Sequence, residues 1–237
     1  MYYSVTRLDL EVRAVFVRPA FELPQITSKV VTALYDSLRA KHMLGPRDFE
    51  SYGGASYSDV LLVVKLFSGQ GRIEVGADRL SGIFINMVYK DDDFAALVDT
   101  YLLAEEALSQ VLAKDQIGVR RYTAHAWLSV EEGRESALSM LKERGSAAFG
   151  WKSPRFTDLP KNYTIKAELS DGINWATNLG LQRSVMPIGD LYFDFEAAYD
   201  LQGAFPSVVQ QVQHARELFT DLLREFDLVP NTEKPAQ

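Results

Sequence analysis

The amino-acid sequence predicts an α+β protein of two tandem repeats, each a strand, a helix, three or four further strands in an antiparallel sheet, and a closing helix. Three observations predict it. Two extended runs alternate along their length with a period of two, one opening residues 4–113 and the other residues 118–227. In both stretches short apolar runs follow, joined by Gly-containing turns that suit antiparallel hairpins. Both stretches then close on a long segment with apolar residues at helical spacing.

The first run is Val5 to Val17, where Leu8, Leu10, Val12, Ala14 and Phe16 alternate with Asp9, Glu11, Arg13 and Val15. Thr27 or Ser28 is placed to cap a helix that carries Val30, Val31, Leu34 and Leu38 and stops at Gly45-Pro46. Residues 49–58 read as a loop. Strands are expected over Asp59 to Phe67, Arg72 to Ala77 and Gly82 to Tyr89, with Gly69-Gln70-Gly71 as the first turn. Asp91, Asp92 and Asp93 favour the positive end of a helix dipole. The helix that follows has Phe94, Leu97, Val98, Tyr101, Leu102, Leu108, Val111 and Leu112 on its apolar side.

In the second repeat, Ile117 to Val130 sets Val119, Arg121, Thr123, His125 and Trp127 on one face of a strand. Arg120, Tyr122, Ala124, Ala126 and Leu128 fall on the other. A helix over 131–144 ends at Gly145, and a long loop spans Ser146 to Asn162. Strands are expected over Tyr163 to Leu169, Ile173 to Arg183 and Leu191 to Phe195. The last helix has Pro206 in its first turn, then Val208, Val209, Val212, Ala215, Phe219, Leu222 and Phe226. Sheets with one buried face gather their helices on that face, which gives an α+β layer rather than a doubly wound sheet. Residues 1–115 and 116–229 are the expected repeats, fused into one pseudo-twofold body whose opening strands pair. Residues 230–237 read as a flexible tail.

Composition narrows the function classes. A hydrophobic content of 47% over 237 residues supports a sizeable core. The net charge of −7 is shared almost evenly between the halves, which speaks against a polycationic nucleic-acid module. The chain has no cysteine, so thiolate chemistry, disulfides and Cys-based metal sites are excluded. Without a signal-peptide pattern or an apolar run long enough for a bilayer, a cytoplasmic protein with no membrane contact is expected.

Four constellations are candidates for chemistry. In the strand that begins at Asp190, Tyr192, Asp194 and Glu196 share its face, and carboxylates about 7 Å apart along a strand could hold Mg²⁺ or Mn²⁺. A solvent-exposed strand face explains the same pattern. His125 could act as a general base if Asp9 or Glu11 oriented it across paired opening strands. His42 reads as exposed, and His214 lies on the polar side of the last helix. Gly69-Gln70-Gly71 lies between two strands, so it is a hairpin turn rather than a phosphate loop. The loop within 142–166 is basic and aromatic, with Trp151, Arg155, Phe156, Lys161 and Tyr163. Single-stranded nucleic acid or a phosphorylated ligand could bind there, and a long loop whose aromatic residues fold back over the sheet explains the same pattern.

The segment Ile117-Gly118-Val119-Arg120-Arg121-Tyr122 resembles the Arg-x-Gly-Leu-Arg-Tyr-x-Asn strand of an uncharacterised, sporadically distributed prokaryotic family of two-repeat α+β proteins. The run Leu191-Tyr192-Phe193-Asp194, followed by a helix with His214 and Phe219, resembles that family's closing Leu-Asp-x-Asp strand and helix. Ala124 and His125 stand near the position of the family's Asn, so the resemblance carries over no role for that Asn. The resemblance implies an accessory or defence-related role. At the level of fold the repeat is similar to SecB-type chaperones and to TATA-binding and helix-grip domains, an analogy that carries no function.

A non-enzymatic protein-binding or self-assembling module without a cofactor is therefore expected, with His125, Trp127 and the 142–166 loop as binding candidates. The alternatives are a metal-dependent phosphoryl-transfer enzyme or nuclease at Asp190, Asp194 and Glu196, and a small-molecule pocket between sheet and helix involving Trp127, Trp175 and Tyr101.

Overall fold

The chain runs through β1 (Tyr2–Phe16), α1 (Leu23–Leu38), β2 (Phe49–Ser51), β3 (Val60–Leu66), β4 (Gly71–Gly76), β5 (Arg79–Met87) and α2 (Asp91–Val111). It continues through β6 (Ile117–Val130), α3 (Gly133–Ala147), β7 (Thr164–Ser170), β8 (Trp175–Arg183), β9 (Leu191–Asp200), α4 (Val208–Glu225) and the two-residue β10 (Val229–Pro230). The computed structural model describes residues 1–52, 59–87, 91–112, 117–147, 164–170, 175–200 and 207–233.

The fold is α+β. Among the described residues nine strands form one antiparallel sheet in the order β2-β3-β4-β5-β1-β6-β9-β8-β7, and β10 pairs in parallel with the start of β1. The two longest alternating runs of the sequence, β1 and β6, lie side by side at its centre. Leu8, Leu10, Val12 and Ala14 of β1, Tyr122, Ala124, Ala126 and Leu128 of β6, and Phe193, Phe195 and Ala197 of β9 are all buried. They join Leu34, Tyr101, Ala137 and Phe219 of the helices in one core. Phe219 meets the rings of Phe193 and Phe195 at 5.0 and 6.1 Å, edge to face, the geometry aromatic quadrupoles favour. The alternate residues of the same strands form an open face of half-exposed charged and aromatic side chains.

Local chemistry places several boundaries differently from the periodicity. Pro24 sits in the first turn of α1, so the helix starts at Leu23, and Thr27 lies inside it with its hydroxyl donating to the carbonyl of Leu23 at 3.0 Å. Ile26 leaves helical angles (φ −112°, ψ 16°), which makes a kink where a cap is expected from the sequence. The segment 49–58, read as a loop, contributes β2 along β3. At the head of α4, Ser207 and Gln210 form a reciprocal capping box that sequence reading missed. Pro230, the first residue of the expected tail, pairs with Tyr3. Among the described residues no helix is long and apolar enough to cross a membrane.

Tyr101 of α2 lies fully buried over Gly82 of β5, and a Cβ at Gly82 would come within 2.9 Å of its ring. A glycine here lets the helix settle onto the sheet.

Candidate functional site

The register of three neighbouring strands assembles the open face. Across the β1 and β6 pair, Arg7 meets Trp127, Asp9 meets His125, Glu11 meets Thr123 and Arg13 meets Arg121. Across β6 and β9, Trp127 meets Tyr192, His125 meets Asp194 and Thr123 meets Glu196. Period-two alternation then puts all of these side chains on the side away from the helices.

Charges on this face neutralise one another within the chain. Arg7 forks onto Asp9, with Nε to Oδ1 at 2.9 Å and a terminal nitrogen to Oδ2 at 2.6 Å. Arg13 takes Glu11 in the same bidentate way, and Arg121 reaches Glu196 at 3.6 Å. Further out, Arg72 pairs with Glu74 and Lys65 with Glu50. The like-charged neighbours Arg13 and Arg121 are thus each held by a carboxylate. A phosphate group binding here would have to displace these carboxylate partners.

The centre of the face is aromatic. The Arg7 guanidinium stacks on Trp127 at 4.8 Å, and the Tyr192 ring leans on Trp127 at 5.1 Å, an arrangement of cation–π and tilted ring contacts that holds the indole in place. His125 follows: its Nδ1 lies 2.7 Å from the Tyr192 hydroxyl and 3.0 Å from Oδ1 of Asp194. The Asp194 hydrogen bond raises the His125 pKa from its ordinary value, against the opposing effect of burial. Burial, with the charges of Asp194 and Asp9, pushes the Tyr192 phenol up to about 12.

The carboxylate that reaches His125 is Asp194, not Asp9 or Glu11 as expected. Asp9 is occupied: besides Arg7, its Oδ1 accepts the backbone N–H of Asn86 at 2.7 Å. Asn86 has a positive φ of 56°, close to an irregularity in the β1 and β5 register between Leu8 and Leu10. Periodicity gives no sign of such a bulge. Arg7 and Tyr192 are the site members sequence reading left out. Tyr192 was legible as the residue between the two acids on that strand face.

The acidic strand residues do not gather into one site. Asp190 accepts the Val130 N–H at 2.9 Å and so ties the start of β9 to the end of β6. Asp194 faces His125, and Glu196 faces Arg121. Among the described residues no group of three His, Asp or Glu side chains could hold a metal ion. Trp151, Arg155, Phe156, Lys161 and Tyr163 lie outside the described residues. Trp127 and Tyr101 are on opposite faces of the sheet, so no single pocket contains both. His42, expected to be exposed, is half-buried: its Nε2 lies 3.1 Å from the Thr100 hydroxyl and its ring stands edge-on to Phe67.

Elsewhere, a cleft of about 770 Å³ runs between α2 and α4, lined by Phe94, Val98, Val209 and Val212. Arg216 covers the Phe94 ring at 4.2 Å, and the rim acids Asp99 and Asp221 pair with Lys41 and Arg224.

No protein-family model matches the chain, and no curated protein matches it.

Proposed function

We propose that this chain is a non-enzymatic protein-binding or assembly module of pseudo-twofold build, and that the open face around Trp127 is its docking surface. The accessory or defence-related role implied by the sequence resemblance belongs to the same proposal. The observation that carries it is the half-exposed Trp127, fixed between Arg7 and Tyr192, in a field of charges already paired. A rigid aromatic anchor costs little side-chain entropy on binding, and a neutralised surround favours a protein partner over a highly charged ligand. The pseudo-twofold part draws support from the strand order, in which β1 and β6 sit centrally, flanked by β5, β4, β3 and by β9, β8, β7.

The test is retention of partner protein by the immobilised chain in extract from its host, beside light scattering at several concentrations. The reading expects a specific partner or self-association that Trp127→Ala and Tyr192→Ala both abolish while the variants stay folded. A strict monomer that retains nothing, or retention indifferent to Trp127, overturns it.

A further inference from the structure

His125 offers one nitrogen to two oxygens. Its Nδ1 is within hydrogen-bond reach of both the Tyr192 hydroxyl, at 2.7 Å, and the Asp194 carboxylate, at 3.0 Å. That nitrogen carries either a proton or a lone pair, never both. A carboxylate can only accept, so it needs the proton. A hydroxyl can donate to the lone pair.

We propose that His125 is a proton-operated switch at the centre of the open face: the charged ring holds the Asp194 carboxylate, and the neutral ring takes the Tyr192 hydroxyl instead. This deepens the binding role proposed above and rests on it for its purpose, though not for its chemistry.

The groups around the ring make the exchange consequential. From β1, Asp9 and Glu11 face it, each held by its own arginine, Arg7 or Arg13. From β9 come Tyr192, Asp194 and Glu196, and its own strand adds Arg121 and Trp127. With the imidazolium present, Arg7, Arg13, Arg121 and His125 balance Asp9, Glu11, Asp194 and Glu196. When the Nδ1 proton leaves to solvent, Nε2 keeps its own proton and the ring need not turn. Nδ1 then presents a lone pair, which repels Asp194 Oδ1 and accepts the Tyr192 O–H. Asp194, with a side chain 53% exposed, can swing into water. The face thereby gains one uncompensated negative charge. It does so beside the Trp127 anchor, because the Tyr192 ring that donates to His125 also packs on Trp127. A partner that sets a cation over Asp194 gains on the alkaline side, and one that brings a carboxylate loses.

The experiment is ¹⁵N NMR of the full chain labelled in histidine, titrated through the imidazole range and assigned with a His125→Asn variant. Wild-type His125 is expected to titrate above the ordinary imidazole value and, once neutral, to carry its proton on Nε2 with Nδ1 accepting. Asp194→Asn should lower the midpoint, and Tyr192→Phe should shift the neutral ring toward the tautomer protonated on Nδ1. His42 and His214 report that both variants remain folded. A neutral wild-type ring protonated on Nδ1, or a midpoint unmoved by Asp194→Asn, overturns the switch. Because the titration needs no partner, its outcome is separate from partner retention. A chain that switches but retains nothing sinks only the binding role, and one that retains a partner without switching sinks only this inference.

Discussion

Tyr101 sits so close to Gly82 that a methyl group on that glycine would lie 2.9 Å from the ring carbon Cδ2 and 3.1 Å from Phe84. The ring cannot retreat, because it is fully buried between α2 and the sheet. Gly82→Ala therefore has to displace the helix or the strand. A loss of about 1–3 kcal/mol is expected from overpacking, read as a lower denaturant midpoint with an unchanged slope.

Glu105 of α2 pairs with Arg120 of β6, with Nε to Oε2 at 3.0 Å and side chains 15% and 12% exposed. Glu105→Ala leaves a largely buried guanidinium without its carboxylate, and a loss of about 3–5 kcal/mol is expected. The double variant Glu105→Leu with Arg120→Met should recover most of it, since no charge is then stranded. Equilibrium unfolding of the three proteins checks both statements.

The pairing of His125 with Asp194 makes stability depend on pH in a defined sense. The folded-state pKa of His125 lies above its ordinary value of 6.5, so the protonated ring is the form the fold favours. The stabilisation is fully present below 6.5 and disappears as the pH rises through the raised folded value. The difference in stability between wild type and Asp194→Asn should accordingly be larger on the acid side of 6.5 and vanish in alkali. Both groups are partly exposed, so the effect is small and reduced by salt. Urea midpoints at a series of pH values measure it.

Asp190, Asp194 and Glu196 are each engaged with a different protein group, namely the Val130 amide, His125 and Arg121. Calorimetric titration with Mn²⁺ should therefore give the same trace for wild type and Asp194→Ala. Saturable heat present only in the wild type contradicts this geometry.

Removing the Ser207 hydroxyl, which accepts the Gln210 N–H at 3.2 Å, uncaps α4. Ser207→Ala should cost about 1 kcal/mol, and Ser207→Asp should restore most of it. Thermal melts distinguish the two variants.

Much of the open face was legible in the sequence, because alternation fixes which side of a strand a residue occupies. His125 and Trp127 separate from Tyr122, Ala124 and Ala126 by counting in twos, and Asp194 and Glu196 separate from Phe193 and Phe195 in the same way. Alternation does not fix register. The side-chain partner of His125 depends on how β6 slides against β1 and β9, and on which neighbouring carboxylate is already occupied. Asp9 was ruled out by the Asn86 amide, which points at it because of a backbone irregularity far away in sequence. The start of α1 departs from the sequence expectation for a related reason: Thr27 satisfies itself within the helix, so a residue type that signals a cap occurs one turn inside.

The central position of β1 also sets an order of events during synthesis. Its one edge is filled by β5, made soon afterwards, but its other edge waits for residues 117–130 to leave the ribosome. A nascent chain that has emerged only as far as Val111 holds a long strand edge unpaired, open to the same strand of a neighbouring polysome chain. Pairing across so many intervening residues closes late and slowly.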